Sequence, residues 1–390
     1  MKETWHNIIM VIRRELRIWM RRPTYILGSV FTMVFCSVFY LSFLKDGVPS
    51  DVPIGVVDYD NSSMTRTFAD QLDATQLGKV VHYDDFTSAR EDMQSGKITS
   101  IVVLPEGMYA DVQSQRQPKI SFYVNGLYFL GGSLAYKDIL TMVNLTSGAL
   151  QRQVLRMKGV NEDAIMGRLR PIDLDIHQIG NPTMNYGAYL ANMMLPGMLE
   201  MVIIIMIIYA LGTELKYGTS KHLLQTAGGD FRVALFAKIA VYTLLFTAVG
   251  FVLETVLYRY MHFPMAGNVL NMLVAMFAFV LACEAIGIFI IGLFPVTRFA
   301  LSIGGLYSVL ALSLTGFSLP VEAMPGAIQG FSACFPLRHF YLFYVQEGIF
   351  ASGFAGWYQE LIHLLLFVII PVFVMRRLES AYINQNYPKD

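Results

Sequence analysis

The sequence predicts an α-helical polytopic membrane protein with six transmembrane helices and an α/β domain inserted between the first two. Of its 390 residues, 55% are hydrophobic and only 15% are charged, which is too apolar for an ordinary soluble protein. Six apolar runs approach or exceed the roughly 20 residues that a membrane-spanning helix requires. Between the first two runs, a polar stretch alternates strand and helix patterns.

Residues 1–23 predict an amphipathic helix at the cytoplasmic membrane surface. One helical face carries the apolar residues Trp5, Ile8, Ile9, Ile12, Leu16 and Trp19. Another face carries the arginines Arg13, Arg14, Arg17 and Arg21. The pattern is typical of a membrane-surface anchor, and a lever that also contacts a cytoplasmic partner is the alternative.

The first predicted span covers residues 24–44 and follows Pro23. A cleaved signal peptide is the alternative, but the run is long and Phe43-Leu44-Lys45-Asp46 offers no small-x-small cleavage site. Five further spans are predicted, of which the last is the shortest. They cover residues 189–211, 233–257, 269–294, 299–319 and 361–375.

The distribution of Lys and Arg predicts the orientation of these spans. Thirteen of them fall in the 64 positions of residues 1–23, 212–232, 294–298 and 376–390. The 144 positions of residues 45–188 hold the same number. Because cytoplasmic segments beside span ends are enriched in these residues, both termini and the 212–232 loop are predicted to be cytoplasmic. The predicted location is a bacterial inner membrane, with residues 45–188 outside the cytoplasm.

Residues 45–188 read as a small α/β domain followed by a helical stalk. The predicted strands are residues 52–57, 79–83, 98–104 and 119–124, and the helices between them are 62–73, 88–95 and 106–113. A long helical pattern follows Gly131-Gly132 and ends near Gly159. Asp58 and Asp60 are candidates for an acid/base pair or a calcium site, but turn and helix-cap roles are simpler.

The sequence lacks the motifs of several enzyme and metal-site classes. No lysine is followed by Ser or Thr, so no phosphate-binding loop exists, and neither His-Glu-x-x-His nor Gly-x-Ser-x-Gly occurs. We therefore predict no catalytic residues and no metal site. Each of the seven histidines is expected to be isolated: His6, His82, His177, His222, His262, His339 and His363. The formal net charge of zero gives no reason to expect a nucleic-acid partner.

Within the cytoplasmic loop 212–232, Gly218-Thr219 can start a short helix, and Leu223-Leu224 give it an apolar edge that we expect to be exposed. The loop resembles that of ABC-2 exporter permeases, whose pattern is Glu-x-x-x-Gly-Thr-x-x-x-Leu-Leu-x-Thr-Pro. The matching residues are Glu214, Gly218, Thr219, Leu223, Leu224 and Thr226. The resemblance implies that they form the coupling helix, which docks into an ATP-binding subunit. Ala227 replaces the usual proline.

A second match lies in residues 320–360, before the last span. Leu319-Pro-Val-Glu-Ala-Met-Pro325 and Phe335-Pro-Leu-Arg-His-Phe340 are similar to the family's outer re-entrant hairpin, although Cys334-Phe335 departs from its pattern. Pro320, Pro325 and Pro336 exclude one continuous helix, so short broken helices are predicted. The hairpin belongs to a five-span domain over residues 189–375, and residues 376–390 form a cytoplasmic tail.

Two acidic residues lie inside predicted spans: Glu200 in the second and Glu284 in the fourth. Ionisable residues are costly in a membrane and are functional candidates by default. They would line a translocation path or would hydrogen-bond neighbouring helices, and the sequence leaves both readings open.

The resemblance implies the permease subunit of an ATP-driven ABC exporter. Its partners would be two ATP-binding subunits, which hold ATP and Mg²⁺, and a second permease, identical or paralogous. This chain itself would need no cofactor. The substrate would be a drug, a lipid or a glycan-like molecule, and the outer domain would meet a periplasmic adaptor or an outer-membrane duct.

Two other classes of function are weighed against export. A membrane-anchored receptor or assembly scaffold would need only one span and no ATPase. An ion-driven secondary transporter would use Glu200 and Glu284 as proton carriers, but no inverted repeat relates the two halves of the sequence.

Overall fold

The computed structural model describes residues 2–45, 47, 50–75, 78–114, 116–126, 129–161, 164–165, 177, 179–182, 185–385 and 387. The chain forms two compact units. The membrane unit comprises Met1–Lys45 and Gln178–Asp390, and the inserted unit comprises Asp46–His177. Each has its own hydrophobic core.

The membrane unit begins with two consecutive helices. Helix α1 covers Lys2–Arg21, and α2 covers Pro23–Phe43. Arg22 between them is extended, and Pro23 starts α2 because a proline at the first helical position loses no hydrogen bond. A π-helical turn at Leu27–Phe31 interrupts α2. The predicted leader and first span are therefore separate helices, and the break lies at the predicted boundary.

The inserted unit is an α/β fold around a four-stranded sheet. Its elements in chain order are β1 (Val52–Asp58), α3 (Ser63–Asp73), β2 (Gly78–Tyr83), α4 (Phe86–Gln94), β3 (Ser100–Leu104), α5 (Met108–Gln113), β4 (Ser121–Val124) and α6 (Phe129–Met157). The strand order is β2-β1-β3-β4. Strand β1 pairs in parallel with β2 and β3, whereas β4 is antiparallel to β3. The predicted strands and helices are all present, with bounds shifted by a few residues.

The sheet is covered on both faces, which explains why its central strands are almost wholly apolar. On one face, Ile54 and Val102 pack with Phe68 and Leu72 of α3 and with Ile139 of α6. The opposite face packs against α4 through a smaller cluster. That cluster contains Val57, Ala89, Ile98 and Ile101.

Asp58 and Asp60 have the structural roles that the sequence favoured. Asp58 Oδ1 accepts hydrogen bonds from the backbone N–H groups of Asp60 and Asn61, at 3.1 and 3.0 Å. Asp60 Oδ2 accepts one from the backbone N–H of Tyr109 at 3.1 Å. The two acids therefore stabilise a turn and the start of α5, and their geometry supports no acid/base pair.

Nine further helices complete the membrane unit over its described residues. They are α7 (Tyr186–Lys216), α8 (Ser220–Thr226), α9 (Phe231–Tyr260), α10 (Val269–Leu293), α11 (Thr297–Leu314), α12 (Gly326–Ser332), α13 (Pro336–Phe343), α14 (Phe354–Phe373) and α15 (Met375–Asn384). A π-helical turn at Tyr344–Ile349 extends α13.

Within the described residues, six helices are long and apolar enough to cross a membrane: α2, α7, α9, α10, α11 and α14. The six predicted spans are thus confirmed. The last span begins at Phe354, earlier than the predicted residue 361. Polar residues, including Gln359 and Glu360, interrupt its apolar run and concealed the start of the helix in the sequence.

Helices α7 and α10 form the centre of the membrane unit. Most of their side chains are buried, whereas most of those on α2, α11 and α14 are not fully buried, as expected for helices that face lipid. A Cβ added to Gly287 of α10 would lie 2.9 Å from the Cβ of Ile207 on α7. A glycine there lets the two helix backbones approach closely.

Short broken helices form the predicted hairpin up to residue 353, whereas residues 354–360 already belong to α14, so the predicted end at 360 was wrong. A 3₁₀ turn covers Val321–Ala323, Pro325 precedes the first residue of α12, and Pro336 is the first residue of α13. Each proline stands where its missing N–H costs no helical hydrogen bond. Helix α13 packs against α14.

Candidate functional site

Four charged side chains from three helices form a buried ion-pair network in the membrane unit. Arg14 of α1 donates two hydrogen bonds to Glu214 of α7, at 2.8 Å from Nη1 to Oε1 and 2.9 Å from Nη2 to Oε2. Lys238 of α9 donates its Nζ to Glu15 Oε2 at 2.7 Å and to Glu214 Oε1 at 3.0 Å. Arg14 Nη1 also lies 2.6 Å from Glu15 Oε1. Two cations thus share two carboxylates.

The network is almost dry, since the Lys238 and Glu15 side chains are only 1% and 0% exposed. Burial acts to lower the pKa of Arg14, but the hydrogen bonds and charges of Glu214 and Glu15 outweigh it and raise that pKa above its usual value. Removing one member would leave an uncompensated buried charge, which costs about 3–5 kcal/mol. The four residues therefore hold α1, α7 and α9 together as one unit.

The sequence analysis missed Glu15 and gave Lys238 no role. Glu15 lies one turn after Val11, and both are buried on the face of α1 that packs on α9. Glu15 follows Arg13-Arg14 in a basic leader, and Lys238 interrupts an apolar run. An acid that directly follows two arginines in the leader and a single lysine in a span have complementary charges, and this was the signal that the sequence offered.

Helix α7 ends at the predicted coupling loop through a glycine turn. Gly218 has φ +67°, the left-handed region that glycine adopts without steric cost. The Gly218 N–H donates to the Leu215 carbonyl at 3.2 Å, and the Thr219 N–H donates to the Glu214 carbonyl at 2.9 Å. The Thr219 hydroxyl also donates to the Glu214 carboxylate. Glu214, Gly218 and Thr219 therefore act together and connect the loop to the network.

Leu223 and Leu224 are buried, and the expectation that they form an exposed apolar edge was wrong. They are 1% and 8% exposed and belong to the core of the membrane unit, where α8 packs against α1, α9 and α15. The exposed face of α8 instead carries Lys221, His222 and Gln225. The Thr226 hydroxyl donates a hydrogen bond to the His222 carbonyl, one turn earlier in the same helix, at 2.8 Å.

Helix α15, in the segment predicted as a simple tail, packs beneath the same loop. The Ser220 hydroxyl donates to the Tyr382 carbonyl at 2.9 Å, and the Tyr382 hydroxyl donates to the Leu211 carbonyl at 2.9 Å. Gln385 Nε2 donates to the Gly218 carbonyl at 2.7 Å. The end of the chain thus braces α7 and α8.

Helix α1 has three faces rather than the predicted two. Val11, Glu15 and Trp19 face protein, and the Trp19 ring lies 6.0 Å from that of Tyr242 on α9. A second face carries exposed apolar residues, namely Trp5, Ile9, Leu16 and Met20. A third carries the exposed cations Arg13, Arg17 and Arg21.

The predicted face assignments of α1 were therefore wrong at two points: Trp5, Ile9 and Leu16 are exposed and do not pack with Trp19, and Arg14 leaves the cationic face to enter the network. An exposed apolar face beside a cationic face suits a membrane surface. The third face contacts α8 and α9 of the same chain, so the predicted lever that contacts a cytoplasmic partner stays a prediction.

Glu200 and Glu284 are both buried, on helices α7 and α10, which pack against each other. Glu284 Oε2 accepts a hydrogen bond from the Thr243 hydroxyl at 2.6 Å, whereas neither oxygen of Glu200 has a partner among the described residues. Glu284 also lines a groove of about 730 Å³. The groove's other walls include Leu235, Ile239, Thr247, Leu281 and Ile288. The hydrogen bond from Thr243 of α9 fits the predicted contact of Glu284 with a neighbouring helix. A role of Glu284 or Glu200 in a translocation path stays a prediction. Glu254 of α9 is likewise buried, and in the part of the chain that the structure describes its carboxylate has no hydrogen-bond partner.

The hairpin brings together residues that the sequence analysis kept apart. His339 of α13 and His363 of α14 lie on either side of Glu360, so the expectation that each histidine is isolated was wrong for these two. Their separation in sequence hid the contact. The three cysteines Cys36, Cys283 and Cys334 are free.

Comparison with known proteins gives the family to which this arrangement belongs. The model of a family described as ABC-2 family transporter protein matches residues 23–375. The chain is 23% identical over 340 residues to "Inner membrane transport permease YhhJ" of Escherichia coli (strain K12), covering 86% of each chain. The protein of the same name from Shigella flexneri gives the same values. The chain therefore belongs to the ABC-2 transporter family, as one of its membrane permeases.

Proposed function

We propose that this permease is the membrane subunit of an ATP-driven exporter and that a separate ATP-binding subunit docks on the exposed face of α8. The observation that carries the proposal is the connection between the loop and the network. Thr219 and Glu214 join the start of α8 to Arg14 and Lys238, so a force on α8 reaches α1, α7 and α9 at once.

The exposed residues around α8 suit a protein partner. Lys221, His222 and Gln225 lie on one side of the short helix, and Tyr217 is 58% exposed just before it. The Arg22 guanidinium lies 5.5 Å from the centre of the Tyr217 ring. Aromatic and arginine side chains are enriched at protein interfaces. Leu223 and Leu224, on the buried side of α8, pack into the core and so fix the position of this surface.

Switching requires that ATP-linked states differ in their contact energies. The network of Arg14, Glu15, Glu214 and Lys238 can produce such a difference, because a shift of one helix breaks several of its buried ion pairs together. In this proposal, closure of two ATP-binding subunits moves α8 and α1 relative to α9 in each of two paired permeases. ATP and Mg²⁺ are held by the partner subunits.

The proposed orientation puts both termini and α8 in the cytoplasm of a bacterium, with the permease in the inner membrane. The density of Lys and Arg in residues 1–23 and 212–232 supports it. The printed name of the YhhJ relative, an inner membrane transport permease, supports the same location.

The groove beside Glu284 supports an amphiphilic substrate, which fits the predicted drug and lipid classes better than a glycan. Its walls are apolar apart from Glu284, the two threonines Thr243 and Thr247, and Arg232. Replacing Glu284 by Gln would then lower export while leaving the ATP-binding subunit bound. Unchanged export of amphiphilic compounds by Glu284→Gln would count against this substrate route.

Co-purification from the native host tests the proposed docking. The tagged full chain is expected to recover an ATP-binding subunit in mild detergent, and Lys221→Glu/Gln225→Glu is expected to lose it. The matched control is Arg66→Glu/Gln71→Glu, the same chemistry on exposed positions of α3 in the inserted unit. If wild type and both variants all lack an ATP-binding subunit, or if the α8 variant retains it fully, the docking proposal fails.

A further inference from the structure

A cluster of three metal-ligand side chains lies where the hairpin meets the last span. His339 Nδ1 is 2.7 Å from Glu360 Oε2, and His363 Nδ1 is 3.6 Å from the same oxygen. One ligand atom from each residue lies within 4.8 Å of the other two. Across the described part of the chain, no other three residues of the His, Cys, Asp and Glu types meet in this way.

Local structure places these side chains together. Pro336 starts α13, so His339 lies at the end of its first turn. Glu360 and His363 are three residues apart on α14 and therefore share one face of that helix. Because α13 packs against α14, the single histidine of one helix meets the Glu-x-x-His pair of the other.

The hydrogen bonds of His339 show that a positive species belongs in the cluster. Its Nε2 lies 2.9 Å from the Ala333 carbonyl oxygen, which only accepts, so Nε2 carries a proton. In the neutral ring, Nδ1 then presents a lone pair to the Glu360 carboxylate, which also presents a lone pair. Two acceptors at 2.7 Å need a positive species between them: a proton fits this distance, and a metal ion fits once the two atoms move apart to about 3.4 Å.

The position of His363 favours the metal ion. A proton shared by His339 and Glu360 would need no third group, yet the two imidazole rings lie 4.7 Å apart on the same carboxylate. In a tetrahedral zinc site, ligand atoms about 2.1 Å from the metal are roughly 3.4 Å from one another. A histidine that ligates a metal also usually donates its other N–H to a carbonyl, as His339 does to Ala333.

We propose that His339, Glu360 and His363 form a binding site for a divalent transition-metal ion of the zinc type, with one coordination position open. Two imidazoles and one carboxylate are a ligand set that Zn²⁺ prefers. Calcium and magnesium need more oxygen ligands than a single carboxylate provides. Without a thiolate or thioether ligand, the site does not suit Cu(I).

Ligand burial suits such a site. The His339 and Glu360 side chains are 6% and 12% exposed, so they are held in place, while that of His363 is 47% exposed and can turn toward an incoming ion. Ionisable residues within an apolar span are costly and serve a purpose by default. A bound ion would fasten the hairpin to the last span.

The test uses the purified full chain with a tag that contains no histidine, stripped of metal by a chelator. We expect one Zn²⁺ to bind per chain by calorimetry, and Co²⁺ to give the visible absorption bands of a low-symmetry site. Because the ion binds the folded state, Zn²⁺ should also raise the melting temperature.

Variants distinguish metal binding at this site from binding by other histidines. His363→Asn removes a half-exposed ligand that the fold tolerates, and Glu360→Gln removes the shared carboxylate. Each should weaken Zn²⁺ binding by at least about tenfold. The matched control is His262→Asn, an exposed histidine at φ +53°, a conformation that asparagine tolerates. Absence of stoichiometric binding to wild type, or equal affinity in all three variants, would overturn the proposal.

Discussion

Lys238 is enclosed by protein, and over the described residues Glu15 and Glu214 are the two acids that pair with its charge. Replacing it by Met leaves two carboxylates against one arginine in a dry site. We expect Lys238→Met to reduce the free energy of unfolding by about 3–5 kcal/mol. The measurement is chemical denaturation of the purified chain, monitored by tryptophan fluorescence.

A charge-balanced double variant tests the same network. Glu15→Met/Lys238→Met removes one cation and one anion and leaves the bidentate pair between Arg14 and Glu214 intact. We expect it to be more stable than Lys238→Met alone, with an interaction energy of at least about 1 kcal/mol in the double-mutant cycle. Strictly additive losses would show that the four charges do not act as one network.

At this scale, the sequence reveals the candidates but not their partners. A glutamate in a basic leader and a lysine in an apolar run are visible as exceptions. However, Arg14 and Glu214 are 200 residues apart, and no local periodicity encodes their contact. The same holds for His339, whose partners lie on another helix. Such pairs are fixed by helix packing, which a single sequence does not specify.

The two sides of α8 make an element-scale prediction, because one side supports the fold and the other is free. Leu223→Asp puts a charge into the core of the membrane unit and should lower the melting temperature and the yield of folded protein. Lys221→Glu changes only an exposed side chain, so its free energy of unfolding should stay within about 0.5 kcal/mol of wild type. Its melting temperature and its yield should then be close to those of wild type. Differential scanning fluorimetry in detergent compares them. Equal stability of the two variants would contradict the buried position of Leu223.

Elements were easier to predict than contacts, for physical reasons. Each span needs about 20 apolar residues to cross the apolar core of the membrane, so hydropathy alone located all six. The alternating strands and helices of the inserted unit were equally visible, because β1 and β3 are buried on both faces and therefore continuously apolar. The predictions of which side chains are buried were wrong for α1 and α8. Helix α1 faces protein, membrane and solvent, and the hydrophobic pattern of α8 did not reveal which side packs inward.

For the whole molecule, the central expectation is an orientation with α8 in the cytoplasm and α3 outside. Thiol labelling in a background without Cys36, Cys283 and Cys334 tests it. A membrane-impermeant reagent should label Gln71→Cys on intact cells but label Lys221→Cys only after the inner membrane is opened. Both positions are exposed in their own units, so burial does not limit either reaction. The reverse pattern would invert the proposed topology.

The most direct test of the account is photo-crosslinking in the native membrane from a photoreactive amino acid placed at Lys221 or Gln225. We expect both positions to capture a protein that carries a phosphate-binding-loop sequence, and position 71 on α3 to capture none. Capture of that ATP-binding subunit from 221 and 225 would establish α8 as its docking helix. If these positions capture no ATP-binding subunit, or capture it no better than position 71 does, then the coupling role proposed for α8 and the ion-pair network is wrong.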